Sequence, residues 1–155
     1  MMALKGLMPI EGPAFEKRPT KTKATGRKER YDKTHPIKFP IVPEHEESLI
    51  YFFKFYKKKY EIPGIAEFCT FLLRYALHHP RIIDYEIEYV PLTRYKRVYV
   101  NQIERDKING LHGYTTIWRL TQREVVHRLV MSSLFYLQGG GEIKFDEALP
   151  LKPAR

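Results

Sequence analysis

Between Arg119 and Gly139 the apolar positions fall at Val125, Val126, Leu129, Val130, Leu134 and Leu137, a spacing that gathers them on one face of a helix. Thr121 followed three residues later by Glu124 forms a capping box at its start. The hydroxyl takes an orphan amide of the first turn while the carboxylate returns to the cap's own N–H. Gly139-Gly140-Gly141 predicts the end of this helix. Upstream, Tyr95–Asn101 alternates as a strand does, with Val98 and Val100 on one face and Arg97, Tyr99 and Asn101 on the other. A helix from about Gln102 to Leu111 follows, weakened at its end by Gly110 and Gly113. Tyr114, Ile117 and Trp118 read as core side chains.

The first half of the chain carries the same order of patterns. Ile37, Phe39 and Ile41 alternate with Lys38 and Pro40, which predicts a short strand with one core face. Pro40 removes a ladder donor, so an edge or a two-stranded ribbon is expected rather than a central strand. A helix opens at Pro43 with acids near its positive end and Lys57-Lys58-Lys59 at the other. Leu49, Phe52, Phe53, Tyr56 and Tyr60 form its apolar stripe. Ile62-Pro63-Gly64 turns the chain into a second helix, Ile65–Leu77, which ends at His78-His79-Pro80. In the connector, Tyr85, Ile87 and Tyr89 alternate with Asp84, Glu86 and Glu88, which suggests another strand. Pro91–Arg94 would turn that strand back onto Tyr95–Asn101 as a hairpin; alternatively, the acids shield a basic surface. Residues 142–150 have weak strand character and either cover an edge or stay loose.

Length and composition narrow the function. A chain of 155 residues holds one ordinary domain or two very small ones, and 43% hydrophobic residues suffice for a core. No apolar run approaches the ~20 residues of a membrane span. The N-terminus lacks the pattern of a secretory signal, so a cytoplasmic protein is expected. The single cysteine, Cys69, excludes an internal disulfide and a multi-cysteine zinc site, and its apolar setting favours a buried thiol. His78 and His79 are adjacent, about 100° apart on a helix, and do not form a metal pair. With no P-loop, dinucleotide fingerprint or nucleophile elbow, the chain reads as a non-enzyme without metal or cofactor.

The net charge of +9 points to a polyanion, nucleic acid first and an anionic membrane second. Much of that charge lies in residues 1–34, where prolines, glycines and absent apolar periodicity predict a disordered basic arm. Its Arg27, Lys28 and Arg30 are candidates for phosphate contacts.

The two halves align as an internal repeat, Ile37–Val42 with Lys96–Asn101 and Ala66–Arg74 with Arg123–Met131, at offsets of 59 and 57 residues. On these strands and on the helix openings at Leu120–Val125 and Ile62–Phe68, the chain resembles the ribbon-helix-helix DNA-binding proteins of the MetJ/Arc/CopG class. The resemblance implies a mainly α fold with a short β ribbon, a tandem ribbon-helix-helix pseudo-dimer. Repeat one spans 35–79, the connector 80–94, repeat two 95–138 and the tail 139–155. It departs from the family at Pro40 and at Pro63-Gly64.

By that resemblance, strands 37–42 and 96–101 pair antiparallel and enter the major groove of double-stranded DNA. Lys38, Pro40, Arg97, Tyr99 and Asn101 face the bases. Amides near Gly64, Ile65, Thr121 and Gln122 clamp phosphates as helix N-termini do. The expected role is transcription regulation or plasmid- or phage-type DNA organisation, with homo-oligomers on DNA and no membrane partner. The alternatives are an architectural nucleic-acid binder led by the arm, and a protein-interaction subunit using the aromatic helix Tyr51–Tyr60.

Overall fold

The computed structural model describes residues 33–153. The expected arm, including Arg27, Lys28 and Arg30, lies outside the described residues except for its last two positions. The elements run β1 (His35–Pro40), α1 (Pro43–Tyr60), α2 (Ile65–His78), a 3₁₀ turn (Pro80–Ile82), β2 (Tyr95–Val100), α3 (Gln102–Asn109), α4 (Tyr114–Trp118), α5 (Gln122–Gln138) and a second 3₁₀ turn (Phe145–Ala148). The described chain is mainly helical, with one short antiparallel sheet of β1 and β2.

The register pairs Ile37 with Val98, Lys38 with Arg97 and Pro40 with Tyr95. Ile37, Phe39, Val98 and Val100 are buried on the inner face, as the alternation requires. Two strands cannot cover themselves, so the helices close the core. α2 packs on β2 and α5 packs on β1, while α2 and α5 pack on each other. Thr70 fixes the first contact: its hydroxyl donates to Ala66 O at 2.9 Å and accepts the amide of Tyr99 at 2.8 Å. Ser133, fully buried, fixes the helix pair by donating to Leu72 O at 2.7 Å. Phe68, Leu72, Leu129 and Leu134 between these layers are fully buried, each contributing about 1.5–3 kcal/mol by burial.

The connector is not the hairpin strand that its alternation left open. Residues 84–90 form no strand, and β2 pairs only with β1 among the described residues. Their alternation grips α5 and α4 instead. Asp84 N donates to Ser132 Oγ at 2.9 Å, Tyr85 meets Trp118 edge-on, and Tyr89 meets His127 edge-on. A period of two here serves side chains that dock on helices, not a ladder.

α4 is a further element that the sequence pattern did not predict. Tyr114 and Trp118, one turn apart, stack with centroids 4.3 Å apart, and Arg119 leaves the helix at φ 58°. The tail covers the core end of α1. Ile143 is fully buried, its amide donating to Tyr56 Oη at 3.1 Å and its carbonyl accepting from Tyr60 Oη at 3.2 Å. The turn into it needs glycine at two positions: Gly140 has φ 98°, and a Cβ on Gly141 would lie 2.4 Å from the Tyr136 ring.

Candidate nucleic-acid interface

The outer face of the ribbon carries Lys38 directly opposite Arg97, both exposed. Opposed side chains on one face of an antiparallel pair have Cβ atoms about 5 Å apart, so two cations there repel. Glu46 on α1 does not relieve them. Its carboxylate binds Lys96 Nζ at 2.8 Å and Arg94 Nη1 at 2.6 Å. The hydrogen bond from Lys96, with help from Arg94, holds the Glu46 carboxyl below its ordinary pKa. Among the described residues no carboxylate pairs with Lys38, Arg97 or Arg123.

A groove of about 670 Å³ lies between this face and the first turn of α5, walled by Pro36, Lys38, Arg97, Thr121, Gln122 and Arg123 among others. Local sequence builds its helical wall. Thr121 Oγ1 accepts the Glu124 amide at 3.3 Å, and Glu124 Oε1 accepts the Thr121 amide at 3.0 Å, completing the expected capping box. The amides of Gln122 and Arg123 have no acceptor within the helix, as at any helix start. The Gln122 side chain is held by Asn109 Nδ2 at 2.7 Å. Arg123 lies over the Tyr95 ring, 5.3 Å from its centroid, which sets the guanidinium beside the ribbon. The groove thus gathers three uncompensated cations around a helix N-terminus, an arrangement suited to a phosphate chain.

The expected site residues fare unequally. Lys38 and Arg97 sit on the exposed face, and Thr121 and Gln122 sit beside them in the same groove. Tyr99 is half-buried opposite Pro36, with its amide held by Thr70. Pro40 belongs to the outer row by register but is buried, so its ring cannot reach a base. Asn101 corrects the expectation more fully. It is 2% exposed and caps α3: Oδ1 accepts the Glu104 amide at 2.8 Å and Nδ2 donates to Leu151 O at 2.9 Å. Its amide is spent, leaving no group to read adenine.

Gly64 and Ile65 are not walls of the groove. Gly64 caps α2 without a side chain, and the Glu67 carboxylate folds back so that a Cβ on residue 64 would meet its Oε1 at 2.7 Å. Sequence reasoning missed Arg123. The sequence puts Arg123 at that helix start, two residues past the cap Thr121, but only the packing of α5 on β1 brings it beside the ribbon.

No protein-family model matches this chain, and no curated protein or solved structure matches it significantly.

Proposed function

We propose that the protein binds double-stranded DNA sequence-specifically, inserting the β1–β2 ribbon into the major groove, as a transcription regulator or plasmid- or phage-type DNA-organising factor. The chain acts as a single-chain counterpart of a ribbon-helix-helix dimer. The reciprocal packing of α2 on β2 and α5 on β1 supports that reading, because each second helix covers the other repeat's strand. The observation that carries the function is the opposed, uncompensated pair Lys38 and Arg97 beside the α5 N-terminus.

Arg97 presents the bidentate donors that suit guanine O6 and N7, with Lys38 and Tyr99 beside it. Gln122 and Arg123 hold the flanking phosphate. Because Lys38 and Arg97 are different residues, the two half-sites read by one chain differ, and the target is asymmetric.

The test is a titration of labelled duplexes across a salt series. Arg97→Ala relaxes base preference at one position, by about 1–3 kcal/mol of discrimination. Arg123→Ala weakens all duplexes alike and lowers the salt slope by about 1. Binding that ignores both variants and disappears when Arg27, Lys28 and Arg30 become alanine would assign the contact to the arm instead.

A further inference from the structure

α1 turns an unusual face to solvent. Tyr51 and Phe55 are 70% and 55% exposed, on the side away from the buried stripe of Leu49 and Tyr56. They form the apolar part of an open groove of about 1060 Å³ whose rim carries Lys54, Lys57, Lys58 and Lys59, with one acid, Glu61, at its end. Lys59 is committed to Glu142, but the other three lysines have no carboxylate partner among the described residues. Aromatic rings edged by cations that have no carboxylate partner, Lys57 lying over the Phe53 ring, fit an aromatic residue set between acids.

The connector presents such a group. Asp84, Glu86 and Glu88 are exposed and make no ion pair among the described residues. Asp84 Oδ1 accepts the Glu86 amide at 2.9 Å, closing a local turn that presents Tyr85, 59% exposed, between the first two acids. The turn is anchored from behind, by Ser132 under the Asp84 amide and by Trp118 and Arg128 against the Tyr85 ring.

The two surfaces cannot meet within one molecule. Glu44, in the first turn of α1, shares a cleft with Asp84, Glu86 and Glu88. Lys57 lies thirteen residues further along the same helix, about 20 Å away at 1.5 Å per residue.

We propose that the lysine-edged aromatic face of α1 docks the acidic Tyr85 turn of a second copy of this chain, so that copies associate head to tail. Such a contact joins two different surfaces, so with concentration it extends into short chains of molecules or, where its rotation closes, into a ring. The surfaces are small and their complementarity is electrostatic, which makes the association weak and salt-sensitive. It involves neither the ribbon nor the groove at α5 and stands or falls apart from DNA binding.

Sedimentation velocity of the full-length protein over a concentration series tests this. In about 0.01 M salt the mean sedimentation coefficient rises with concentration; in about 1 M salt, where the Debye length shrinks to about 3 Å, it stays at the monomer value. The charge-reversed variants K54E/K57E/K58E and E86K/E88K, the second keeping the Asp84 carboxylate that closes the turn, each remain monomeric alone. Both alter only exposed side chains, and circular dichroism verifies their fold. Mixed in equal amounts they associate again, because the reversed faces now complement each other. A wild-type protein that stays monomeric in low salt overturns the proposal. So does association that survives both variants, or a mixture that stays monomeric.

Discussion

Lys38 and Arg97 stand opposite each other across a two-stranded ribbon, on its exposed face, and among the described residues no carboxylate pairs with either. Like charges directly opposed in a sheet cost stability, so folding alone does not favour this pair. Arg97→Thr therefore raises stability in low salt, by about 0.2–1 kcal/mol, and under the proposed function it also weakens DNA binding. Thermal melts in low and high salt check the first half: the gain shrinks as salt screens the repulsion. A variant that loses stability at low salt contradicts this view of the pair.

Glu104 is a polar hub between α2, α3 and the tail. Fully buried, it accepts from Arg74 Nε at 2.6 Å, from the Asn101 amide at 2.8 Å and from the Leu151 amide at 3.1 Å. One carboxylate thus ties α2, the start of α3 and the tail together. Glu104→Ala removes these bonds, including a second from Arg74 Nη2 at 3.3 Å, and strands a largely buried guanidinium, at a cost of about 3–5 kcal/mol. Urea unfolding reads this as a lower midpoint, and a loss below about 1 kcal/mol would show that the hub is dispensable.

His127 makes stability depend on acid. Burial, with His45 nearby, pushes its pKa from an ordinary 6.5 down to about 4. The unfolded chain therefore binds the proton more readily than the folded one. Stability is level above about pH 6.5, falls as pH drops toward about 4, and levels again below that, with a total loss on the order of 3 kcal/mol from this group. His127→Gln removes this part of the slope in denaturant titrations between pH 4 and 6.5. An unchanged slope in the variant would assign the acid sensitivity elsewhere.

Cys69 is fully buried, and desolvation raises its thiol pKa to about 12. Thiolate is the reactive form, so a thiol reagent labels the native protein only as fast as the core opens. Labelling at the rate of an exposed cysteine under native conditions would contradict the packing of α2.

The elements legible in the sequence are those whose pattern answers to burial. β1, β2, α1, α2 and α5 lie close to where their apolar periods predict, because each turns one face to a shared core. The connector stayed ambiguous for a physical reason. Tyr85, Ile87 and Tyr89 alternate like a strand, yet a strap that turns at Tyr85–Glu86 and docks on helices can carry the same alternation with no ladder. Asn101 was misread differently. Asn101 and Glu104 have the same three-residue spacing as Thr121 and Glu124, and the same capping chemistry claims both pairs. Read as a cap, Asn101 leaves the list of base readers without any structure. Arg123 required tertiary placement, since only the packing of α5 on β1 brings its turn beside the ribbon.

The most direct measurement is selection of bound duplexes from a random DNA library by the full-length protein at physiological salt. Ribbon readout predicts an asymmetric motif that loses information at one position on Arg97→Ala. Recovery of no motif, or of one that Arg97→Ala leaves intact, would contradict it.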